Sequence, residues 1–236
     1  MPSTPRYWVV IPAAGIGTRM ETTTPKQYLH LGDRTVIEHV LQRFCTHPAI
    51  AGIVVVLAPE DPYWRELPFT GHEKIRTTTG GAERCHSVLR GLRALREVAD
   101  EEDWVLVHDA ARPCLSRGDV DRLIDTVSGH AVGGILAAPA RDTMKRAGAG
   151  NEIRDTVDRS ELWHALTPQM FRLGLLERAL TEAVEGGRLV TDEAQAVELA
   201  GYHPLLVPGQ ADNIKITHPG DLQIAELFLS RQEDGA

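Results

Sequence analysis

Residues 7–20 read Tyr7-Trp8-Val9-Val10-Ile11-Pro12-Ala13-Ala14-Gly15-Ile16-Gly17-Thr18-Arg19-Met20. An unbroken apolar run is followed at once by small residues and then by a cation. A short apolar run bounded by Pro and Gly is the pattern of a strand buried on both faces. The small residues let backbone N–H groups approach an anion closely. Gly15 and Gly17 permit backbone angles closed to other residues.

Outward from this stretch the alternation repeats. Val36, Ile37, Val40, Leu41 and Phe44 recur at helical spacing, and residues 52–57 and 74–79 read as strands. A helix carrying Val88, Leu89, Leu92 and Leu95 starts near Glu83. Residues 104–108 form a strand ending at Asp109, Val120 to Val127 a helix, and residues 133–138 a strand. Strands alternating with helices are βαβ units, which build an α/β fold with a mostly parallel sheet covered on both faces. Ligands bind such sheets at the carboxyl ends of the strands.

The rhythm breaks after Pro139. Residues 142–147 and 152–157 flank Gly148-Ala149-Gly150-Asn151 and read as a polar hairpin projecting from the core. Beyond it, Leu173 to Val184 marks a helix, and Thr191 is positioned to cap another over residues 192–201. Residues 203–207 and 213–217 read as short strands, and a last helix begins at Pro219. This organisation is a single domain over 1–236, with residues 139–162 as an arm within it.

Composition sets limits. The chain has 236 residues, 42% hydrophobic and 25% charged, enough apolar material for a core. A formal net charge of −8 argues against a long nucleic-acid partner, though not against a small anion. Cys45, Cys85 and Cys114 are far apart and in no C-x-x-C pair, so free thiols in a reducing cytoplasm are expected. No apolar segment is long enough for a leader or a membrane span.

The chemistry lies just after the strands. Pro12 to Gly17 supplies a backbone nest for phosphate, with Arg19 and Lys26 as fixed cations. A dinucleotide fingerprint needs a third glycine where Met20 stands, and the P-loop string is absent. A ligand-free Gly-rich turn is the bland alternative. Asp109 suits Mg²⁺, which takes one or two carboxylates beside substrate phosphates; it would otherwise cap a turn and pair with Arg112. Gly80-Gly81-Ala82-Glu83-Arg84-Cys85-His86-Ser87 precedes a helix and suits either a base pocket, with Ser87 as a hydrogen-bonding side chain, or a turn and helix cap. Lys215 lies in Asn213-Ile214-Lys215-Ile216-Thr217, too apolar to be simple surface.

Taken together, the Pro12–Arg19 segment, Pro25-Lys26-Gln27, Gly80-Gly81 with Arg84 and Ser87, Val107 to Pro113, Asp142 to Lys145, Thr156 to Arg159, Leu162 to Gln169, Thr191-Asp192-Glu193 and Asn213 to Lys215 resemble the 2-C-methyl-D-erythritol 4-phosphate cytidylyltransferase family, in order along nearly the whole chain. The first motif is shared by many sugar-phosphate nucleotidyltransferases; the stretch from Asp142 to Gln169 is more specific. The resemblance implies a Rossmann-like three-layer nucleotidyltransferase fold and a homodimer formed through the β-arm. It implies transfer of CMP from CTP to 2-C-methyl-D-erythritol 4-phosphate with Mg²⁺, in the non-mevalonate isoprenoid pathway. By the same resemblance Ala13, Ala14, Gly15, Gly81 and Ser87 contact the nucleotide, together with the Pro12, Gly17 and Ala82 backbone. Arg19, Lys26 and Lys215 surround the reacting phosphates. Asp109 lies by metal and substrate, and Arg112, Thr143, Arg159, Thr167 and Thr191 serve the acceptor, some from the partner subunit. Ala82 stands where an Asp occurs in some relatives. Rival readings are a cytidylyltransferase for another polyol phosphate such as ribitol 5-phosphate, a non-catalytic nucleotide-binding regulator, and an NAD-dependent dehydrogenase.

Overall fold

The computed structural model describes residues 4–15, 20 and 23–234, the side chains of 233 and 234 excepted. Gly17 and Arg19 therefore lie outside the described residues. In chain order the strands are β1 (Tyr7–Pro12), β2 (His30–Leu31), β3 (Arg34–Thr35), β4 (Ile50–Leu57), β5 (Ile75–Thr79), β6 (Trp104–Val107), β7 (Gly133–Pro139), β8 (Met144–Ala147), β9 (Ile153–Val157), β10 (Trp163–Arg172) and β11 (Leu205–Pro208). The helices are α1 (Val36–Cys45), α2 (Arg84–Leu95), α3 (Arg117–Val127), α4 (Leu173–Glu185), α5 (Glu193–Leu199) and α6 (Gly220–Asp234).

Seven strands form the main sheet in the order β11-β7-β10-β6-β1-β4-β5. All run parallel except β10, which is antiparallel to both its neighbours. Side chains alternate across the sheet, as the two-residue period requires. Val9, Ile11, Trp104 and Leu106 face α1 and α3. Trp8, Val10, Val105 and Val107 face α2, α4 and α5. These two apolar layers make the fold three layers deep. Gly91 brings α2 close to the sheet: a Cβ there would lie 2.6 Å from Val10 and 2.9 Å from Val56. A smaller cluster of Met20, Leu31, Val36, Cys114, Ile216 and Ala225 seats α6.

The structure corrects three expectations. Residues 213–217 are not a strand. Their polar groups make isolated bonds rather than a ladder: Ile216 N–H donates to the Ala111 carbonyl at 2.9 Å, and the Asn213 side-chain amide to the Thr167 carbonyl of β10 at 2.7 Å. Thr191 does not cap α5. Asp192 does, accepting from Gln195 N–H at 3.0 Å, while the Gln195 side chain holds Thr191. Finally, β10 is a strand that periodicity did not reveal. Pro168 and a register shift between Ala165 and Gln169 interrupt its pattern, and its neighbours are distant in sequence. The last helix starts at Gly220, one residue past Pro219.

Beyond β7 the chain leaves the sheet as the β8–β9 ribbon. Gly150 (φ 69°) and Asn151 (φ 61°) make its turn in left-handed backbone, which glycine and asparagine adopt most readily. Residues 141–154 are all exposed, including Ile153 at 68%.

Candidate active site

The carboxyl ends of β1, β5 and β6 open onto one cavity of about 300 Å³. Pro12, Ala13, Ala14 and Gly15 form one wall, and Gly81, Ala82 and Ser87 another; Lys26, Arg84, Asp109 and Lys215 complete it. A second cavity of about 480 Å³ lies beside it, lined in part by Arg112, Arg141, His164 and again Lys215.

Each wall is held from behind. Ala13 N–H donates to the Val56 carbonyl at 2.8 Å, and Gln27 donates to the carbonyls of Ala13 and Gly15 at 2.7 and 3.1 Å. Gln27, itself part of the cavity lining, thus satisfies those carbonyls. On the facing wall the Ser87 hydroxyl accepts from Gly81 N–H at 3.1 Å and donates to the Glu83 carbonyl at 3.2 Å. One oxygen lone pair of Ser87 remains. Gly80 admits no side chain, since a Cβ would lie 2.5 Å from the Ala14 Cβ. The two walls therefore touch at their base.

Asp109 is the electrostatic centre. Its Oδ1 accepts from Arg84 Nε at 3.0 Å, and its Oδ2 faces Lys215 Nζ at 2.8 Å and Arg112 Nε at 3.7 Å. Burial alone would raise its pKa, but Arg84 and Lys215 outweigh that and hold it well below the usual carboxylate range. Its N–H donates to Thr167 Oγ1 at 3.2 Å. Thr167 Oγ1 also meets His108 Nδ1 at 3.0 Å, while His108 Nε2 meets the Arg112 carbonyl at 3.0 Å. A carbonyl only accepts, so His108 carries its proton on Nε2 and Thr167 donates to Nδ1. Burial lowers the His108 pKa to about 4, keeping it neutral at pH 7.

The other cations are fixed by backbone carbonyls. Lys26 Nζ donates to Ile216 O at 2.8 Å, and Arg112 Nη1 to Asn213 O at 2.7 Å. Residues near both termini thus meet at the ends of β1 and β6.

Thr143, Arg159, Thr167 and Thr191 do not line either cavity; Thr167 is buried behind Asp109. Thr143 and Arg159 are exposed on the arm, where Arg159 donates to the Arg141 carbonyl. Thr191 is exposed and bound to Gln195. Sequence reasoning assigned no role to Glu193, Gln27 or His108. Glu193 is completely buried and takes both Nη groups of Arg84, at 2.6 and 3.1 Å. A buried-type spacing around an acidic residue at the start of α5 was the signal available for it.

Among the described residues no group of three or more His, Cys, Asp or Glu side chains converges to hold a metal. Asp109 offers one carboxylate, and both its oxygens already face cations. That donor set fits a divalent cation carried in by a polyphosphate, with Asp109 as its one protein contact. It does not fit an ion held by protein alone.

A mostly parallel sheet with its cations gathered at the carboxyl ends of β1 and β6 defines this protein as an α/β nucleotidyltransferase. The chain matches the 2-C-methyl-D-erythritol 4-phosphate cytidylyltransferase family over residues 7–231 and belongs to it. It is 55% identical over 219 residues to the enzyme of that name from Pseudomonas aeruginosa, spanning 92% of this chain and 94% of the relative. With the Vibrio vulnificus enzyme of the same name it shares 52% over 225 residues, 95% of each chain. The crystal structure of a 4-diphosphocytidyl-2C-methyl-D-erythritol synthase superposes with a TM-score of 0.83 at 43% identity, over 96% of this chain and 100% of that one.

Proposed function

We infer that the protein transfers CMP from CTP to 2-C-methyl-D-erythritol 4-phosphate, giving 4-diphosphocytidyl-2-C-methyl-D-erythritol and pyrophosphate for isoprenoid precursor synthesis. The observation that carries this reading is Lys215, which stands in the wall shared by two adjoining cavities and pairs with Asp109. CTP occupies the Gly-rich cavity and the acceptor phosphate approaches from the other.

An acceptor phosphate oxygen forms a bond to the α-phosphorus of CTP, and the bond from that phosphorus to the bridging oxygen breaks. Pyrophosphate leaves with the electron pair. The attacking oxygen is already anionic at pH 7, so no strong base is needed. The obstacle is the meeting of two anions. Lys26 and Lys215, and Arg19 by the family resemblance, offset that charge and position the phosphates. Mg²⁺ bound to the triphosphate would neutralise further charge, with Asp109 beside it. The Pro12–Gly17 backbone receives the triphosphate, while Gly81, Ala82 and the remaining Ser87 lone pair face the base. Arg112 and Thr167 serve the acceptor side.

Thr143 and Arg159 reach an acceptor site from a partner's arm, in a homodimer made through β8 and β9. The exposed Ile153, with Met144 and Trp163 at 37% and 36%, gives that arm apolar surface to bury. Thr191 completes the acceptor side. The three cysteines are free, as expected of a protein in a reducing cytoplasm. No described helix is long and apolar enough to cross a membrane.

The test is pyrophosphate release from CTP and Mg²⁺ with a panel of acceptors. Turnover is expected with methylerythritol phosphate. Turnover with ribitol 5-phosphate alone would replace the acceptor, and CTP binding without turnover would make the protein a regulator. A cofactor absorbance change with NAD would overturn the class.

A further inference from the structure

We propose that Glu193 is a positioning residue for this reaction, acting through Arg84 to fix the carboxylate of Asp109 in the cleft. The proposal rests on the transferase reading above. Glu193, Arg84 and Asp109 form one continuous line from the first residue of α5, through the first residue of α2, to the end of β6. Arg84 presents Nη1 and Nη2 to the two oxygens of Glu193 at 2.6 and 3.1 Å, and Nε to Asp109 at 3.0 Å. Such a two-point contact fixes the plane of a guanidinium as well as its position.

Glu193 is itself referenced to the sheet. Gln169 accepts from Ala194 N–H at 2.8 Å and donates to Asp192 at 2.9 Å. Gln169 sits on β10 directly opposite Val107 of β6. The strut therefore begins on β10 and ends just past its neighbour β6, at Asp109.

Arg84 lines the nucleotide cavity and would pass for a phosphate ligand. Its bonds argue otherwise. Three of its five N–H donors are committed, and turning toward a polyphosphate would strand a carboxylate that has no exposed surface. Glu193 also settles a competition. Arg84, Arg112 and Lys215 all face Asp109, one charge against three. With Arg84 anchored sideways by Glu193, it reaches only Oδ1, and Oδ2 is left to Lys215 at 2.8 Å, with Arg112 farther off at 3.7 Å. Neutralising Glu193 would let Arg84 swing and displace Lys215 from its place between the cavities.

The experiment compares wild type with Glu193→Gln, Glu193→Asp, Arg84→Lys and the Glu193→Gln/Arg84→Lys pair, with CTP affinity from calorimetry. Glu193→Gln should lower kcat by roughly 100-fold, the scale of a misplacement of about 1 Å. Its CTP dissociation constant should stay within about threefold of wild type, since a positioning loss falls on the transition state. Glu193→Asp, which keeps the charge, should recover at least about tenfold of kcat by the same reasoning. Arg84→Lys keeps a cation but not the fork; it should repeat the kcat loss, and the pair should lose no more than the worse single variant. It also serves if Glu193→Gln fails to fold.

Unchanged kcat per folded enzyme in Glu193→Gln, or in Arg84→Lys where only that variant folds, would overturn the proposal. So would additive losses in the pair, or weakened CTP binding with kcat retained in Arg84→Lys, which would make Arg84 a phosphate ligand. A silent wild type would bring down the transferase reading and this proposal together. An active wild type with an unaffected Glu193→Gln brings down this proposal alone.

Discussion

Lys26 and Lys215 come from opposite ends of the chain, and each is placed by a group that no local pattern could name. Lys26 donates to the carbonyl of Ile216, the residue after Lys215, so the two cations are held by one segment. If Lys26 acts mainly in the transition state, Lys26→Ala should lower kcat by about 100-fold or more. Steady-state kinetics check this; a raised KM with kcat retained would leave Lys26 only a binding role. Asp109 was legible in the sequence because a polar residue just after an apolar run falls at a strand's end, Lys26 because it follows the Gly-rich segment, and Lys215 because its neighbours are too apolar for simple surface. Their partners were not. Thr167 beneath Asp109 and Glu193 beyond Arg84 are separated from them by 58 and 109 positions, and no spacing rule spans such gaps.

At the scale of elements, β1 and β6 must be aligned for Pro12 and Asp109 to face one cavity. Asp103, just before β6, does this at the far end. It accepts from Arg6 N–H at 2.8 Å, from the Trp8 indole at 2.9 Å and from Asp100 N–H at 3.2 Å. Burial opposes its charge, but the Arg6 and Trp8 donors prevail and hold its pKa below the ordinary carboxylate value. A depressed carboxylate stabilises the fold above its unfolded pKa of about 4, and that contribution fades as pH falls through the folded value. Asp103→Asn should therefore cost about 2 kcal/mol at pH 7, a charged hydrogen-bonding loss. The gap from wild type should narrow well below pH 4. Urea midpoints at pH 7 and pH 3 measure it, and an equal gap at both would remove the charge from the account. The helices and parallel strands were readable because each is a local hydrophobic period. β10 escaped because its central Pro168 and shifted register erase that period, and only β6 and β7 on either side make it a strand.

For the whole molecule, the exposed ribbon β8–β9 is the part that one chain leaves unexplained. If, as proposed, Arg159 reaches the acceptor site of a partner, inactive Arg159→Ala and Lys26→Ala chains should partly complement when mixed, because one of the two sites in each heterodimer then keeps both residues. About half the wild-type activity per heterodimer is the ceiling by symmetry. Verified heterodimers without recovered activity would put the whole site within one chain. What the sequence by itself determined is the alternation of strands and helices and the chemistry of the residues at the strand ends, since both follow from patterns a few residues long. Tertiary structure alone decided the antiparallel strand in the middle of the sheet, the cap at Asp192 in place of Thr191, and the buried Glu193–Arg84–Asp109 line. Those depend on which distant residues share the same few ångströms of buried, weakly screened space. The Gly-rich opening announced an anion; the packing of Arg84, Thr167 and Lys215, each from a distant segment, around Asp109 decided how that anion meets its partner.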